Sequence, residues 1–522
     1  MDPKELTETV TELTAGKHPI ACDNRELLSP GAILHNVSSA RNSATPPLLP
    51  MDVTAEDVLR LIQQEGIELI DLKFSDLRGQ WQHLTIAPSL LVEGVFDEGI
   101  SFDGSAIRDW KSIHESELML LPDPATTWLD PFHSIKTMSM VGSILKPLSG
   151  EPFQRCPRAL AERAVRHLGA SGVADQALFS PEPEFFLFDD VRYESGIGGS
   201  FYQVDSIEAP WNTGRLEEGG NLAHKLQLNQ GYLPTSPCDS LQELRSEMLL
   251  TLASLGISIE KHHHEVGIAQ HKLGMKANEL LTAADYVMTY KYVVKNVAKK
   301  YGKTATFMPN PVFMNSGSRM HVHQSLWKEK QPLFFGEGTY ADLSQTARWY
   351  VGGLLRHGPS LMAFTNPSTN SYKRLLPGFE VPLKLIYSQG NRSAAIRIPL
   401  SGSHPSTKRI EFRIGDPLAN PYLSFSAMLM AGLDGVHQQI DPGKGMDLNL
   451  VDLSSSEVQE IPNVPDRLEA ALQALDNDRA YLLKGNVFSD DLIDGWIAIK
   501  SQEIVEINQR PHPHEFSLYY NS

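Results

Sequence analysis

Cysteine is scarce: the 522 residues include three, Cys22, Cys156 and Cys238. They are widely spaced and odd in number, which argues against a disulfide framework. None sits in a C-x-x-C pair, so a thiolate zinc site is excluded as well. Positive charge is also short. Lys and Arg total 46 against 63 Asp and Glu, a formal net charge of −17. That balance excludes nucleic-acid affinity through bulk charge and leaves anionic ligands to be met by local clusters of cations. No apolar run approaches the roughly 18 residues of a membrane span, so no membrane partner is expected. The opening stretch, MDPKELTETVTELTAGKHPIACDNRELLSP, has no basic segment followed by an apolar core, so no secretory leader is expected and the cytoplasm is the expected compartment. Short-period repeats and low-complexity tracts are missing too. The remaining composition, 41% hydrophobic and 21% charged, is that of a globular protein, and the length implies two or three domains.

Residues 1–52 are polar and end in ATPPLLPMD, which reads as a poorly ordered extension or an oligomer contact. TAEDVLRLIQQEG follows, with Thr54 as N-cap, an apolar stripe of Val58, Leu59, Leu61 and Ile62, and Gly66 as the stop. IELIDLKFSDLRGQWQHLTIAP predicts two strands joined by a tight Asp-Leu-Arg-Gly turn. The region 53–155 is therefore expected to be a small α+β domain. Residues 156–522 form a larger mixed one. There PRALAERAVRHLGASG predicts a capped amphipathic helix, TAADYVMTYKYVVKNVAKKYG another, and NPYLSFSAMLMAGLDGVHQQI a helix apolar on most sides and hence buried.

The chemistry lies in a pattern of spacing two, since a strand sends residues i and i+2 to one face. Glu182 and Glu184 share a face in SPEPEFFLF, as do His263 and Glu265 in EKHHHEV. His321, His323 and Ser325 share one in RMHVHQSL, and Arg409, Glu411 and Arg413 share one in KRIEFRI. Any single strand of this kind is explained by one wet face of an antiparallel sheet. Four strands bearing Glu, His and Arg, where solvent faces usually carry Lys, Thr and Ser, point instead to divalent cations and phosphate oxygens. The pattern specifies a site for metal-assisted chemistry on an anionic substrate and names no reaction.

The same segments resemble the type I glutamine synthetases in order, from about residue 54 to the C-terminus: FDGSAIRDW, SPEPEFFLFDD, HHHEV, YGKTATFMPNPVF, NPSTNSYKRLLPGFEVP, GNRSAAIRIP, KRIEFR, DPLANPYL and HPHEFSLYY. The resemblance implies an α+β fold, a β-grasp domain followed by a catalytic domain built as an antiparallel-sheet funnel surrounded by helices. It implies a dodecamer of two hexameric rings, with Asp103 lent to the next subunit's funnel and HEFSLYYNS tying the rings together. The implied reaction is ATP-dependent activation of the γ-carboxylate of glutamate, or an analogue, as an acyl phosphate, followed by attack of ammonia or an amine.

By motif, Glu182, His321 and Glu411 resemble ligands of the Mg2+ or Mn2+ ion nearer ATP, and Glu184 and Glu265 two of three carboxylates at a second ion. Arg374 and Arg413 resemble clamps for the acid's carboxylates, with Glu184, Gly317 and His321 lining its pocket. Arg392, Arg397 and Arg409 resemble phosphate contacts, and His323 and Ser325 nucleotide contacts. Asp103, Tyr232 and Glu265 resemble an ammonium pocket, and Glu380 a flap that keeps water from the intermediate.

Several positions depart from the family. Where it reads Q-H-E this chain has Gln270-His271-Lys272, so a carboxylate ligand has become a lysine. Three carboxylates and a divalent ion sum to one negative charge; so do two carboxylates and an ammonium. Lys272 is therefore expected to pair with Glu184 and Glu265 and exclude the second ion, leaving fewer ions than typical members hold. The competing expectation is that Lys272 swings away and another group or water completes the metal site. In place of N-G-S-G-M-H stands Ser316-Gly317-Ser318-Arg319-Met320-His321, which replaces an asparagine at the amino-acid end and adds the bulk and charge of Arg319. Ala106 replaces a serine near the ammonium pocket, Ser406 a lysine at the nucleotide end, and Val451 the tyrosine that some relatives adenylylate. Two functions follow: a ligase with altered chemistry, or a non-catalytic nucleotide-binding paralogue serving as a regulatory or mixed-ring subunit.

Overall fold

A computed structural model describes residues 53–107, 110, 116–216, 220–375, 382–400, 404–447 and 461–522. The expected extension 1–52, Glu380 and Val451 lie outside the described residues.

Local rules hold at the start of the small domain. Thr54 caps α1 (Ala55–Glu65): its hydroxyl accepts from the Asp57 N–H, and the Asp57 carboxylate accepts from the Thr54 N–H. Val58 and Ile62 are buried, and Gly66 ends the helix at φ 61°, a left-handed conformation without Cβ strain for glycine. β1 (Leu69–Ser75) and β2 (Trp81–Ile86) form the expected hairpin, with Ile70 opposite Ile86 and Ser75 opposite Trp81. β3 (Ile100–Asp103), β4 (Glu117–Pro122), the short β5 (Trp128–Leu129) and β6 (Thr137–Leu145) complete a sheet of order β2-β1-β6-β4-β3, with β5 on β6. β1 and β6 run parallel, as a grasp-type sheet requires, and the other pairs are antiparallel.

α2 (Pro157–Ala170) opens the large domain with Pro157 at its first position and Gly172 just past its end at φ 70°. Its N-cap residue, Cys156, makes no side-chain cap bond, so the proline alone marks that start. β7 (Gln176–Phe188) is the spine of the second sheet. After a separate ribbon of β8 (Asp190–Ser195) and β9 (Ser200–Asp205) come α3 (Gln242–Ser254), β10 (Ile259–His264), β11 (Gln270–Met275), the short β12 (Asn278–Glu279), α4 (Leu280–Lys300) and β13 (Thr304–Thr306). β14 (Met320–Lys328), β15 (Gln331–Pro332), α5 (Gln345–Arg356), β16 (Lys384–Gln389), β17 (Ala394–Ile398) and β18 (Ile410–Phe412) finish the strands. Their order is β10-β11-β7-β14-β18-β17-β16, with β12 and β13 also on β7 and β15 on β14. The sheet is antiparallel except for β16 and β17, which pair parallel.

α6 (Pro421–Gln438) is the buried helix expected from its all-round apolar sequence: Pro421 through Gly435 are buried without interruption. It crosses α5 at backbone contact, since a Cβ on Gly353 would stand 2.0 Å from the Ala431 carbonyl oxygen. α7 (Asp490–Asn508) covers the core through Trp496, and α8 (Pro513–Tyr519) is exposed along its length. The small sheet is seated on the large domain by charge as well as packing. Arg158 on α2 reaches Asp123 at 2.7 Å and Asp285 at 3.0 Å, and the Asn420 amide donates to the Asp76 and Leu77 carbonyls.

Candidate active site

A single row of side chains crosses the large sheet, and strand register builds it. Lys272 on β11 faces Glu184 on β7; Glu182, two residues back, faces His321 on β14; His323 faces Glu411 on β18; and Glu411 faces Arg397 on β17. The period-two reading holds along β7 and β14, which contain all of their motif residues. The other two strands are shorter than their motifs: Glu265 falls just past the end of β10, and Arg409 and Arg413 flank the three residues of β18.

The row divides into two ends. At the β14–β18 end, the His321 Nδ1 lies 3.3 Å from a Glu411 carboxylate oxygen, while its Nε2 is buried without a hydrogen-bond partner. Burial, reinforced by the charges of Arg413, Lys272 and Arg319, pushes the His321 pKa far down, so the ring is neutral with a lone pair to offer. Glu411 is held below the usual carboxylate range: burial opposes its charge, but Arg413, His323 and Arg397 outweigh it. Its oxygens are engaged by Arg397 at 2.7 Å and by Arg413. Glu182 lies 3.4 Å from the His323 Nε2. Two ionised carboxylates and a neutral imidazole with a spare nitrogen are a donor set suited to one divalent cation.

The other end has different chemistry. The Lys272 Nζ stands 3.0 Å from Glu182, 3.3 Å from Glu184 and 3.7 Å from Glu265. Burial disfavours its charge, yet the three carboxylates prevail and raise its pKa, so the ammonium persists at any ordinary pH. Glu182 is driven well below its normal range, burial being overcome chiefly by Lys272 and then His323. Glu184 moves up, because burial and the charge of Glu265 exceed the help of Lys272 and Arg319. Every close partner of Glu184 is a donor: Lys272, the Gln270 amide at 3.2 Å and the Arg319 N–H at 2.9 Å. An ammonium supplies charge but no lone pair, so Lys272 itself is not a ligand for a hard cation. Lys272 also spans further than its expected pairing with Glu184 and Glu265, because Glu182 is its nearest partner.

The family models match along nearly the whole described chain. The model described as "Glutamine synthetase, beta-Grasp domain" matches residues 66–147, and "Glutamine synthetase, catalytic domain" matches residues 154–519. The chain belongs to the glutamine synthetase family. A glutamine synthetase of Nostoc sp. is 52% identical over 472 residues, covering 90% of this chain and 99% of that protein. One of Frankia alni is 51% identical over 473 residues, covering 90% and 100%. The glutamine synthetase of Plasmodium falciparum, solved by electron cryomicroscopy, superposes with a TM-score of 0.84 at 26% identity, covering 91% of this chain and all of that one. A structure titled "Apo GmaS without ligand" superposes at 0.74 with 25% identity, covering 89% of this chain and all of its own.

Within this glutamine synthetase fold the other sequence-derived candidates fall in three groups. Some join the row. Arg374 is buried on the far side of Gly317, where a Cβ would stand 2.6 Å from the Arg374 Cβ, and donates to the Ile414 carbonyl. Burial lowers its pKa to about 10. The Arg409 Nε donates to the His323 Nδ1 at 3.3 Å. Tyr232 stacks edge-on against His263, 5.6 Å between centroids, and His263 lies 3.7 Å from Glu265. Some are nearby with other partners: the Ser325 hydroxyl accepts from the Trp327 indole at 3.0 Å, and the exposed Arg392 meets Arg413 through its backbone carbonyl at 3.1 Å. Asp103 is elsewhere. It is exposed at the end of β3, accepting from the Ser105 N–H and hydroxyl, with no funnel residue among its described partners.

Sequence reasoning missed Gln270, which bonds Glu184 and lies 3.4 Å from the Ser318 hydroxyl. Its side-chain partners come from three separate segments, so no local pattern flags it. It also missed a buried group behind β10 and β11, Glu208, His264 and His271, whose ligand atoms lie within 4.8 Å of one another. That group is a proton network. His264 is paired with Glu208 at 3.0 Å, and the Arg245 guanidinium, which can only donate, faces the His271 Nδ1 at 3.1 Å. The neutral His271 therefore carries its proton on Nε2, where a metal would need a lone pair. Among the described residues no helix is long and apolar enough to cross a membrane.

Proposed function

We propose that the protein is an ATP-dependent ligase that joins the γ-carboxylate of glutamate, or an analogue, to ammonia or an amine, with the ammonium of Lys272 standing where relatives hold a second metal ion. The observation that carries this reading is the placement of the Lys272 Nζ among Glu182, Glu184 and Glu265, next to the His321 imidazole, whose buried Nε2 has no partner.

Glu182, His321 and Glu411 would hold one Mg2+ or Mn2+, which when bound neutralises phosphate charge. The chain's own groups do the rest. Arg397 and Arg409, with Arg392, bear on the phosphates, and His323 and Ser325 on the nucleotide. Arg374 and Arg413 orient the acid beside Gly317. A carboxylate oxygen of the acid attacks the γ-phosphorus of ATP, the bond to the bridging oxygen breaks, and ADP departs. The amine nitrogen then attacks the carbonyl carbon, phosphate leaves with its oxygen, and the nitrogen's proton passes to a carboxylate, Glu265 or a neighbouring subunit's Asp103, beside Tyr232. By the family resemblance, Glu380 would keep water from the intermediate. Exposure of Asp103 and of the apolar Phe516, Leu518, Tyr519 and Tyr520 supports shared sites in a dodecamer of two hexameric rings.

The contact of Lys272 with Glu182 and the double engagement of Glu411 by Arg397 and Arg413 favour a second reading, a nucleotide-binding subunit without catalysis. Phosphate release from ATP across a panel of acids and amines decides between them. Turnover by the natural chain supports the ligase. Silence in the natural chain, with turnover restored in Lys272→Glu, supports the paralogue and overturns the ligase.

A further inference from the structure

We infer that Arg319 converts the far end of the acid pocket into a site for a second anionic group, so that the preferred acid bears two negative charges and no ammonium at the end remote from the carboxylate to be activated. This rests on the reading that the pocket takes a carboxylic acid.

Arg319 is fixed by its backbone. Its N–H donates to the Glu184 carboxylate and its carbonyl accepts from the Glu184 N–H, both at 2.9 Å. One residue later the Met320 N–H donates to the Gly415 carbonyl at 3.1 Å, which sets Arg319 beside the chain leaving β18 with Arg413. On its other flank Gly317 packs directly on the Arg374 stem. Arg319 therefore lies between the segments that carry Arg374 and Arg413. The Arg319 Nε and the Arg374 Nε and Nη1 are buried without hydrogen-bond partners, and among the described residues Arg319 forms no ion pair. Buried donors left unpaired are costly, so these atoms mark the place of an anion. Burial is the main force that lowers the pKa values of Arg374 and Arg413, and the like charge of Arg319 adds to it in both.

The same geometry rejects an ammonium. Glu184, the carboxylate that would attract one, already accepts from Arg319 and Gln270 and pairs with Lys272. Ser316, where the family has an asparagine, is buried and turns its N–H to Asn229 at 2.8 Å. An α-amino group would thus meet the unpaired donors of Arg319 and Arg374 and a carboxylate already engaged by donors. A carboxylate in its place would meet spare N–H groups in a fork geometry that suits it.

Isothermal titration of the full chain, loaded with a non-hydrolysable ATP analogue and magnesium, tests this with three acids: propane-1,1,3-tricarboxylate, glutamate and glutarate. The tricarboxylate is expected to bind about tenfold more tightly than either of the others. Arg319→Gly and Arg319→Met should erase that advantage and Arg319→Lys keep part of it, with the melting temperature and nucleotide affinity checking that each variant is folded. Tighter or equal binding of glutamate, an advantage that survives in Arg319→Gly, or no binding of any acid by the nucleotide-loaded chain overturns the inference. Phosphate release, read separately, tests the ligase: preference for the tricarboxylate without turnover would sink only that reading, and turnover of glutamate with weak tricarboxylate binding would sink only this one.

Discussion

The two ends of the active-site row use nearly the same residues and arrive at opposite chemistry. At the β14–β18 end, Glu182, His321 and Glu411 keep a buried nitrogen without a partner and two ionised carboxylates. At the β11–β7 end, Glu184 and Glu265 face Lys272, and the close partners of Glu184 are all donors. The difference is one side chain. A divalent ion is a charge that organises several oxygens in a shell, whereas an ammonium on a tether is a charge that organises only those its stem can reach. The comparison teaches that charge balance and coordination geometry are separate requirements, since an ammonium meets the first without supplying the second.

The comparison breaks most visibly at the His321 end. His321→Ala should reduce ATP-dependent turnover by at least about a hundredfold, since a metal-competent imidazole is lost. If activity survives within a fewfold, that end does not hold the working cation. Next in size is Lys272→Met, which leaves three carboxylates crowded without the cation they share. It should cost about 3–5 kcal/mol of stability at neutral pH, read by urea unfolding. A loss below about 1 kcal/mol would mean that Lys272 is a bystander.

Acidity sharpens the same contrast. Glu182 has a folded pKa below its unfolded one, so its contribution is present above about pH 4.3 and is lost as the pH falls through the folded value. Lys272 has a raised pKa, so its contribution is complete below about pH 10.4 and is lost only as the pH climbs through the still higher folded value. In Lys272→Met the main force lowering Glu182 is gone and Glu184 is already raised, so protonation relieves the variant. Its deficit should shrink between pH 7 and pH 4, and parallel stability curves for the two proteins would contradict this. Lys272→Glu should gain one additional bound manganese per chain by equilibrium dialysis in the presence of nucleotide; an unchanged count would show that the lysine is not what keeps that ion out. The smallest effect lies outside the row. Thr54→Ala removes the cap of α1 and should cost about 1 kcal/mol without altering turnover, which tests whether the small domain's stability is independent of the row's charge.

Much of this was legible without coordinates. The face composition of four strands, the caps at Thr54 and Gly66, and the buried character of Pro421–Gln438 depend on periods of two and 3.6 and on residue chemistry, which are local properties. The parallel pairing of β16 with β17 was not, because it joins segments whose local patterns do not distinguish parallel from antiparallel neighbours. Gln270 was invisible for a similar reason: a glutamine in a run of buried residues carries no signal until Glu184 and Ser318 arrive beside it.

Sequence alone determined which chemistry is available: a lysine at position 272, an arginine at position 319, and a row of alternating Glu, His and Arg. Tertiary structure alone decided how these are shared out. Only the pairing of β11 with β7 and of β7 with β14 brings the ammonium nearest to Glu182 rather than to its expected partners, and only the packing of Gly317 on Arg374 and of Met320 on Gly415 sets Arg319 between the segments of Arg374 and Arg413. Composition and spacing specify how many charges a chain carries. Distances of a few ångströms, set by register and close packing, specify which charges neutralise each other and which remain for a ligand.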